Sequence, residues 1–365
     1  MNKIFNNKSI LVTGAGGTVG SELIRQLLTN DIYSPDEVVG IDNNENSIFF
    51  LDQAYLDFEN ARFYVSDIKN LEQLKSMFQG IDIVFHTAAL KHVILSERSP
   101  DQFIETNVVG IQNVILASKI NNVEKVIFTS SDKAVNPTNV MGTSKLMGER
   151  LMTAANSTKS GKGPIFASTR FGNVLGSSGS VVPIFHNQII NGGPVTITDL
   201  AMTRFIMSIQ EAVRLVIDSS IKAHGGEVFI TKMPVVRIPD LAKAMIELLA
   251  PKYGFDVNKI EIKEIGQKPG EKIYEELMNN EEVRRAVELK DYFSVTPAFR
   301  GIYNDITYDY NDIQSSKVNK AYISEEETKL GIEEIKKILI KNNLLIKPDH
   351  SISKTYQPGD SEQIN

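Results

Sequence analysis

An acid and an amine stand side by side at Asp132-Lys133. Two hydroxyls, Ser130 and Ser131, precede them, and a second lysine, Lys145, follows. A carboxyl and an uncharged amine at that spacing can give a proton to one substrate atom and take one from the next. The run Val126-Ile127-Phe128 before them is strand-like and a helical pattern comes after. The group therefore sits where a parallel strand ends and a helix begins, the edge at which open α/β sheets bind ligands. Taken alone, the stretch reads equally well as a solvated turn with ordinary surface charges.

A second constellation supports the chemical reading. Ser9-Ile10-Leu11-Val12-Thr13 is a short apolar run, Gly14-Ala15-Gly16-Gly17-Thr18-Val19-Gly20 follows at once, and the next residues have apolar positions at helical spacing. Without side chains at Gly14, Gly17 and Gly20 the loop turns tightly and a pyrophosphate can approach the backbone at a helix N-terminus. A second strand over residues 37–41 ends in Asp42, where a dinucleotide fold places the acid for the adenosine ribose hydroxyls. Asn43 and Asn44 follow rather than arginine, so a 2′-phosphate would meet Asp42 with no cation beside it. That favours NAD over NADP.

Strands are expected to alternate with helices through the first half, which implies a parallel sheet with right-handed crossovers. A third strand over 61–68 contains Asp67, which either approaches the adenine or caps the next helix. A fourth over 81–89 ends in small residues, Ala88 and Ala89, that would let a cofactor lie against the backbone. His86 lies inside this apolar strand and reads as a core histidine; Lys91 is the better candidate for ligand contact. A helix through Asn107 leads to the central stretch, Lys145 to Ala155 is helical, and Ile165 to Phe171 is a strand.

The second half is more irregular. Helices are expected over 183–191, 208–221, 238–249 and 332–340, and strands over 227–231 and 260–265. Arg170, Asn173, Arg204 and Lys268 suit a diphosphate, since arginine forks across phosphate oxygens and asparagine donates from its amide. Each of them alone reads more readily as a surface ion pair than as a ligand contact.

The 365 residues suggest more than one structural unit. A net charge of −6 argues against nucleic-acid binding. The absence of cysteine excludes disulfides and thiolate chemistry. No stretch reaches the roughly 20 apolar residues of a membrane span, and the start lacks a signal-peptide pattern. A cytoplasmic enzyme is the expectation.

The run from Ser131 to Gly142 resembles the active-site segment of the nucleoside-diphosphate-sugar 4,6-dehydratases of bacterial surface polysaccharide synthesis. These are extended short-chain dehydrogenase/reductases acting on UDP-N-acetylglucosamine. Residues 88–93, 170–181 and 268–272 are similar to further segments of the same family. The resemblance spans about residues 8 to 285 and implies a doubly wound parallel α/β sheet with a smaller mixed α/β lobe. Residues 1–172 would be an NAD-binding domain interleaved with later segments and 173–346 mainly a sugar-nucleotide lobe. Residues 347–365 read as a polar, disordered tail.

Carried residue by residue, the resemblance makes Asp132 and Lys133 the acid and base at C6 and C5 of the sugar. Ser131 stands beside them, and Lys145 holds the nicotinamide ribose. Met141 stands where the wider superfamily has a catalytic tyrosine; it has no proton to exchange. Cofactor contacts are expected at Gly14, Gly16, Gly17, Thr18, Val19, Gly20, Asp42, Asn43, Asp67, Ile68, Ala88, Ala89, Lys91, Asn107, Thr129, Ser130 and Lys145. Substrate contacts are expected at Lys91, His92, Ser131, Arg170, Asn173, Val181, Arg204, Met207 and Glu271. No metal is expected; NAD would be tightly bound and recycled, and the protein would be a homo-oligomer.

The expected reaction is oxidation at C4, loss of water across C5–C6 and hydride return to C6, with retention at C5. Lys133 would be neutral, its pKa lowered by burial and by a neighbouring cation such as Lys145. Without the tyrosine, ionised Asp132 would take the C4 hydroxyl proton and deliver it to the C6 oxygen. The alternatives are an inverting dehydratase, a UDP-sugar 4-epimerase and a non-catalytic NAD-binding regulator.

Overall fold

The computed structural model describes residues 3–157, 163–177, 180–267, 270–299 and 306–345. Lys268, Pro269 and the tail from 347 lie outside them. The first half runs β1 (Ser9–Thr13), α1 (Thr18–Thr29), β2 (Glu37–Asp42), α2 (Glu45–Ala54), β3 (Ala61–Val65), α3 (Leu71–Met77) and β4 (Ile83–His86). It continues α4 (Val93–Arg98), α5 (Pro100–Ile104), α6 (Gly110–Ile120), β5 (Lys125–Ser131), α7 (Val140–Ala155) and β6 (Ile165–Phe171).

The second half runs β7 (Asn173–Val174), α8 (Val181–Ile190), β8 (Val195–Ile197), β9 (Thr203–Met207), α9 (Ile209–Lys222), β10 (Val228–Thr231), β11 (Val235–Arg237) and α10 (Ile238–Leu249). Then come β12 (Ile262–Glu264), β13 (Glu276–Met278), α11 (Asn280–Val283), β14 (Ala286–Leu289), β15 (Tyr292–Val295), β16 (Ile313–Ser315), β17 (Tyr322–Ile323) and α12 (Ile332–Lys341).

Ten strands form one sheet in the order β16-β14-β15-β10-β6-β5-β4-β1-β2-β3. From β3 to β10 every pairing is parallel. The continuous apolar runs of β1, β4 and β5 follow from burial on both faces. The chain moves from β1 out to β3 and returns on the other side as β4. The carboxyl ends of β1 and β4 therefore flank the switch point at which such sheets bind ligands. Beyond β10 the sheet is antiparallel through β15, β14 and β16.

The smaller lobe holds three small sheets, β11-β9-β7, β12-β8 and β13-β17. Its core packs Val182, Phe185 and Ile189 of α8 with Leu241, Met245 and Leu249 of α10 and Ile335 and Leu339 of α12.

The local boundaries differ from the sequence expectation in identifiable ways. Helix α7 begins at Val140, because the Asn139 side chain accepts the Gly142 N–H and caps it there. The third strand stops at Val65 and the fourth spans only Ile83–His86. Strands β7 to β9, β11 and β13 to β17 escaped the sequence reading; all are short and the later ones carry little alternation. No helix among the described residues is long and apolar enough to cross a membrane.

Candidate active site

The glycine loop leaves β1 with Gly14 at φ +71°. A Cβ there would lie 2.6 Å from the Ala88 nitrogen, so the loop and the end of β4 meet backbone to backbone. Thr87 Oγ1 donates to the Thr13 carbonyl at 2.7 Å. Asp42 Oδ2 accepts the Gly16 N–H at 3.0 Å and Oδ1 accepts the Asn44 N–H at 2.9 Å, which places the acid against the loop, with exposed Asn43 beside it. Gly17 gives α1 no side-chain cap, and the first turn with Thr18, Val19 and Gly20 holds no acid, so its N–H groups are open to an anion.

These groups fit a dinucleotide, and an orphaned atom agrees: Ser130 is 2% exposed and its Oγ has no partner. Lys145 reaches the Thr129 carbonyl at 3.0 Å and stands 4.7 Å over the Phe128 ring. Burial lowers its pKa to about 8, against the pull of Glu149. His86 is fully buried and bonded through Nδ1 to Thr13 Oγ1 at 2.7 Å. Burial, with Lys145 beside it, lowers its pKa to about 3, so it is a neutral core histidine.

At the end of β5 a single helical turn, Asp132–Ala134, carries the acid and the amine. The Ser131 side chain accepts the Lys133 N–H, and its hydroxyl donates to Asp132 Oδ1 at 2.7 Å. The first turn of α7 presses against this turn. A Cβ on Gly142 would lie 2.3 Å from the Lys133 carbonyl oxygen, so no larger residue lets the helix in. Met141, 3% exposed, occupies that turn with its N–H on Ser96 Oγ.

Lys133 lines a cleft of about 670 Å³ between the lobes, together with His92, Asn173, Val181, Arg204 and Glu271. Lys133 Nζ lies 3.0 Å from Asp132 Oδ1 and 3.4 Å from Glu275 Oε1. The neutral amine expected from sequence is not what this arrangement holds. Burial lowers the Lys133 pKa, but Asp132 and Glu275 outweigh it and raise it well above the lysine range. The cation opposing them is Arg204, not Lys145.

Three expected contacts, at Arg170, Met207 and Asn107, are corrected. Arg170 is 1% exposed. Its five N–H groups all go to Glu149, Glu282 and the Leu277 carbonyl, which leaves none for a diphosphate. Met207 is buried in the main core. Asn107 is 1% exposed; both its amide hydrogens are taken, by the Leu90 carbonyl and Ser144 Oγ, so it fixes the loop after β4. Asp67 accepts the Lys69 N–H, and Asn70, not Asp67, caps α3. Ile68 is a core residue, and Lys91 is exposed next to His92.

Glu275 escaped the sequence reading. It is 3% exposed, yet it follows a loop and precedes another acid, so no periodicity set it apart from a surface charge. Arg204, 5% exposed, donates to the carbonyls of Thr203, Ile273 and Lys272, and its Nε lies 3.5 Å from Glu275 Oε1. Glu275 Oε2, Glu271 Oε2 and Ser180 Oγ lack partners at this cleft, and so does Oδ2 of the buried Asp132 beside Lys133.

The family model described as polysaccharide biosynthesis protein matches residues 10–297. An uncharacterized membrane protein of Methanocaldococcus jannaschii is 45% identical over 93% of this chain and 97% of its own. The inverting UDP-N-acetylglucosamine 4,6-dehydratase of Campylobacter jejuni is 36% identical over 84% and 88%. A UDP-glucose 4-epimerase of Rickettsia bellii is 35% identical over 92% and 96%. The crystal structure of Pen from Bacillus thuringiensis superposes with a TM-score of 0.84 at 38% identity, covering 93% of this chain and 99% of that one. With its glycine-loop sheet and a match over most of its length, the chain belongs to the polysaccharide biosynthesis protein family, a branch of the extended short-chain dehydrogenase/reductases.

Proposed function

We propose that the protein is a nucleotide-sugar 4,6-dehydratase that converts UDP-N-acetylglucosamine to a UDP-4-keto-6-deoxy-N-acetylhexosamine. The observation that carries this reading is the pairing of Lys133, which lines the cleft, with the buried Asp132 carboxylate 3.0 Å from its Nζ. Elimination of water needs a base at C5 and an acid at C6; epimerisation at C4 needs neither. The dehydratase name of the Campylobacter jejuni relative agrees with the reaction, and its inverting outcome keeps an inverting dehydratase as the second reading; the epimerase name of the Rickettsia bellii relative keeps a 4-epimerase as the next.

NAD, cradled by the glycine loop, Asp42 and Lys145, would supply hydride acceptance from C4 and its return to C6. Asp132 takes the C4 hydroxyl proton through its unpartnered Oδ2. The resulting ketone acidifies C5–H, and Lys133 takes that proton as a free amine. Asp132 gives its proton to the departing C6 oxygen, and water leaves. Lys133 then returns a proton to C5. One amine serving one face gives retention at C5, and the run Thr138-Asn139-Val140-Met141 resembles the retaining branch. The Arg204 guanidinium and the Asn173 amide suit the diphosphate.

Mass spectrometry of the product tests the reaction. A dehydratase product is lighter by one water, whereas an epimerase product is isomeric with the substrate. NMR of product made in deuterated water tests stereochemistry: deuterium at C5 in the D-gluco ketone supports retention, and an L-ido ketone overturns it.

A further inference from the structure

The proposed elimination requires a free amine at Lys133, yet the site holds that amine between two carboxylates. A proton has to leave Lys133 before C5 can be attacked. Asp132, one of the two neighbours, is already occupied in this mechanism with the sugar oxygens. The other is Glu275, whose Oε1 lies 3.4 Å from Lys133 Nζ and whose Oε2 has no partner.

We propose that Glu275 stores the Lys133 proton: the ammonium passes it to the Glu275 carboxylate, and the freed amine takes the C5 hydrogen. This rests on the dehydratase reading above. The step balances within the protein. Lys133–NH₃⁺ and Glu275–COO⁻ become Lys133–NH₂ and Glu275–COOH. The C5–H bond then breaks; its proton goes to the Lys133 nitrogen and its electron pair into the enolate. The C6–O bond breaks as Asp132 supplies a proton, and water departs. After hydride reaches C6, Lys133 protonates C5 and recovers its own proton from Glu275.

The surroundings of Glu275 suit a carboxyl that changes protonation. Lys133 and Asp132 face it from the turn after β5, Arg204 from β9, and Lys272 from its own loop. Burial, the largest influence, raises its pKa against the three cations. Its backbone is held on both sides, with its N–H donating to Ser324 Oγ and its carbonyl accepting the Ser324 N–H at 2.9 Å each. Glu275 is thus a positioning residue, acting on the sugar through Lys133.

An internal transfer does not draw on solvent, so the elimination rate of the wild-type protein should be independent of pH between about pH 6 and pH 8. The experiment follows single turnovers of the NAD-loaded protein with UDP-N-acetylglucosamine, using substrate deuterated at C5 to identify the phase that reports C5–H cleavage. In Glu275→Gln the proton can leave only to water, and that phase should climb roughly tenfold per pH unit. Glu275→Asp, which keeps the carboxyl, should restore the flat profile at a reduced rate. A wild-type phase that rises with hydroxide overturns the proposal whether or not Glu275→Gln folds, and so does a flat profile in Glu275→Gln. If wild-type protein yields no product lighter by one water, the dehydratase reading itself falls and takes the proposal with it.

Discussion

Lys133 Nζ lies 3.0 Å from the Oδ1 of its own neighbour, Asp132, while Asp132 Oδ2 is left without a partner. Adjacent residues form this pair because the chain turns there in a single helical turn. One carboxylate oxygen holds the amine, and in the proposed reaction the other takes the proton of a sugar hydroxyl. Asp132→Asn should therefore block the first oxidation, lowering turnover by about 10²–10⁴-fold. Stopped-flow absorbance should then show no transient reduced cofactor, and a normal burst would refute the role given to Asp132.

Lys133→Ala separates the two halves of the reaction. It leaves the proposed C4 proton acceptor in place and removes the proposed C5 base. Reduced cofactor should accumulate as in the wild type while the dehydrated product falls by about 10²-fold or more. Product forming at the wild-type rate would exclude Lys133 as the base.

Lys145 makes a prediction about stability. Its folded pKa is about 8 against an ordinary 10.5, so between those values the unfolded chain binds the proton and the folded chain does not. Stability contributed by this site therefore rises with pH across that window, by roughly 3 kcal/mol at the limit. Urea unfolding of the wild type and Lys145→Met at pH values through the window measures the difference. The gap should shift in favour of the wild type as pH rises, and a constant gap would contradict the depressed pKa.

Arg170 ties three elements together: β6 through its own backbone, α7 through Glu149 and α11 through Glu282. Glu149 sits one turn after Lys145 on α7, so the triad also holds the helix that presents Lys145. Arg170→Met removes the ion-pair partner of two buried carboxylates and should cost about 3–5 kcal/mol in urea unfolding. A loss below 1 kcal/mol would return Arg170 to the ligand role expected from sequence.

Gly14→Ala tests the cradle. The position combines φ +71° with a 2.6 Å approach to the Ala88 nitrogen, so a methyl group is excluded twice. Backbone strain alone should cost about 1–3 kcal/mol. Calorimetric titration with NAD should show binding lost; unchanged affinity would mean that the dinucleotide lies elsewhere.

The first lobe was legible because its signals are local. Strand Ser9–Thr13, the glycine loop and helix Thr18–Thr29 follow one another in about twenty residues, and apolar runs buried on both faces announce a parallel sheet. Asp132 and Lys133 stood out for the same reason: neighbours in sequence need no fold to bring them together. The net charge and the missing cysteines likewise needed no coordinates.

Other assignments waited on the tertiary structure, because burial and pairing are set by residues far apart in the chain. Arg170 looked like a phosphate ligand until Glu149, Glu282 and the Leu277 carbonyl were seen to consume all its donors. Glu275 looked like one surface acid among many until the fold set it against Lys133, 142 residues away, and Arg204. The protonation of Lys133 was decided at the same place. Sequence supplies the amine, but only the arrangement of distant charges around it sets how tightly it keeps its proton.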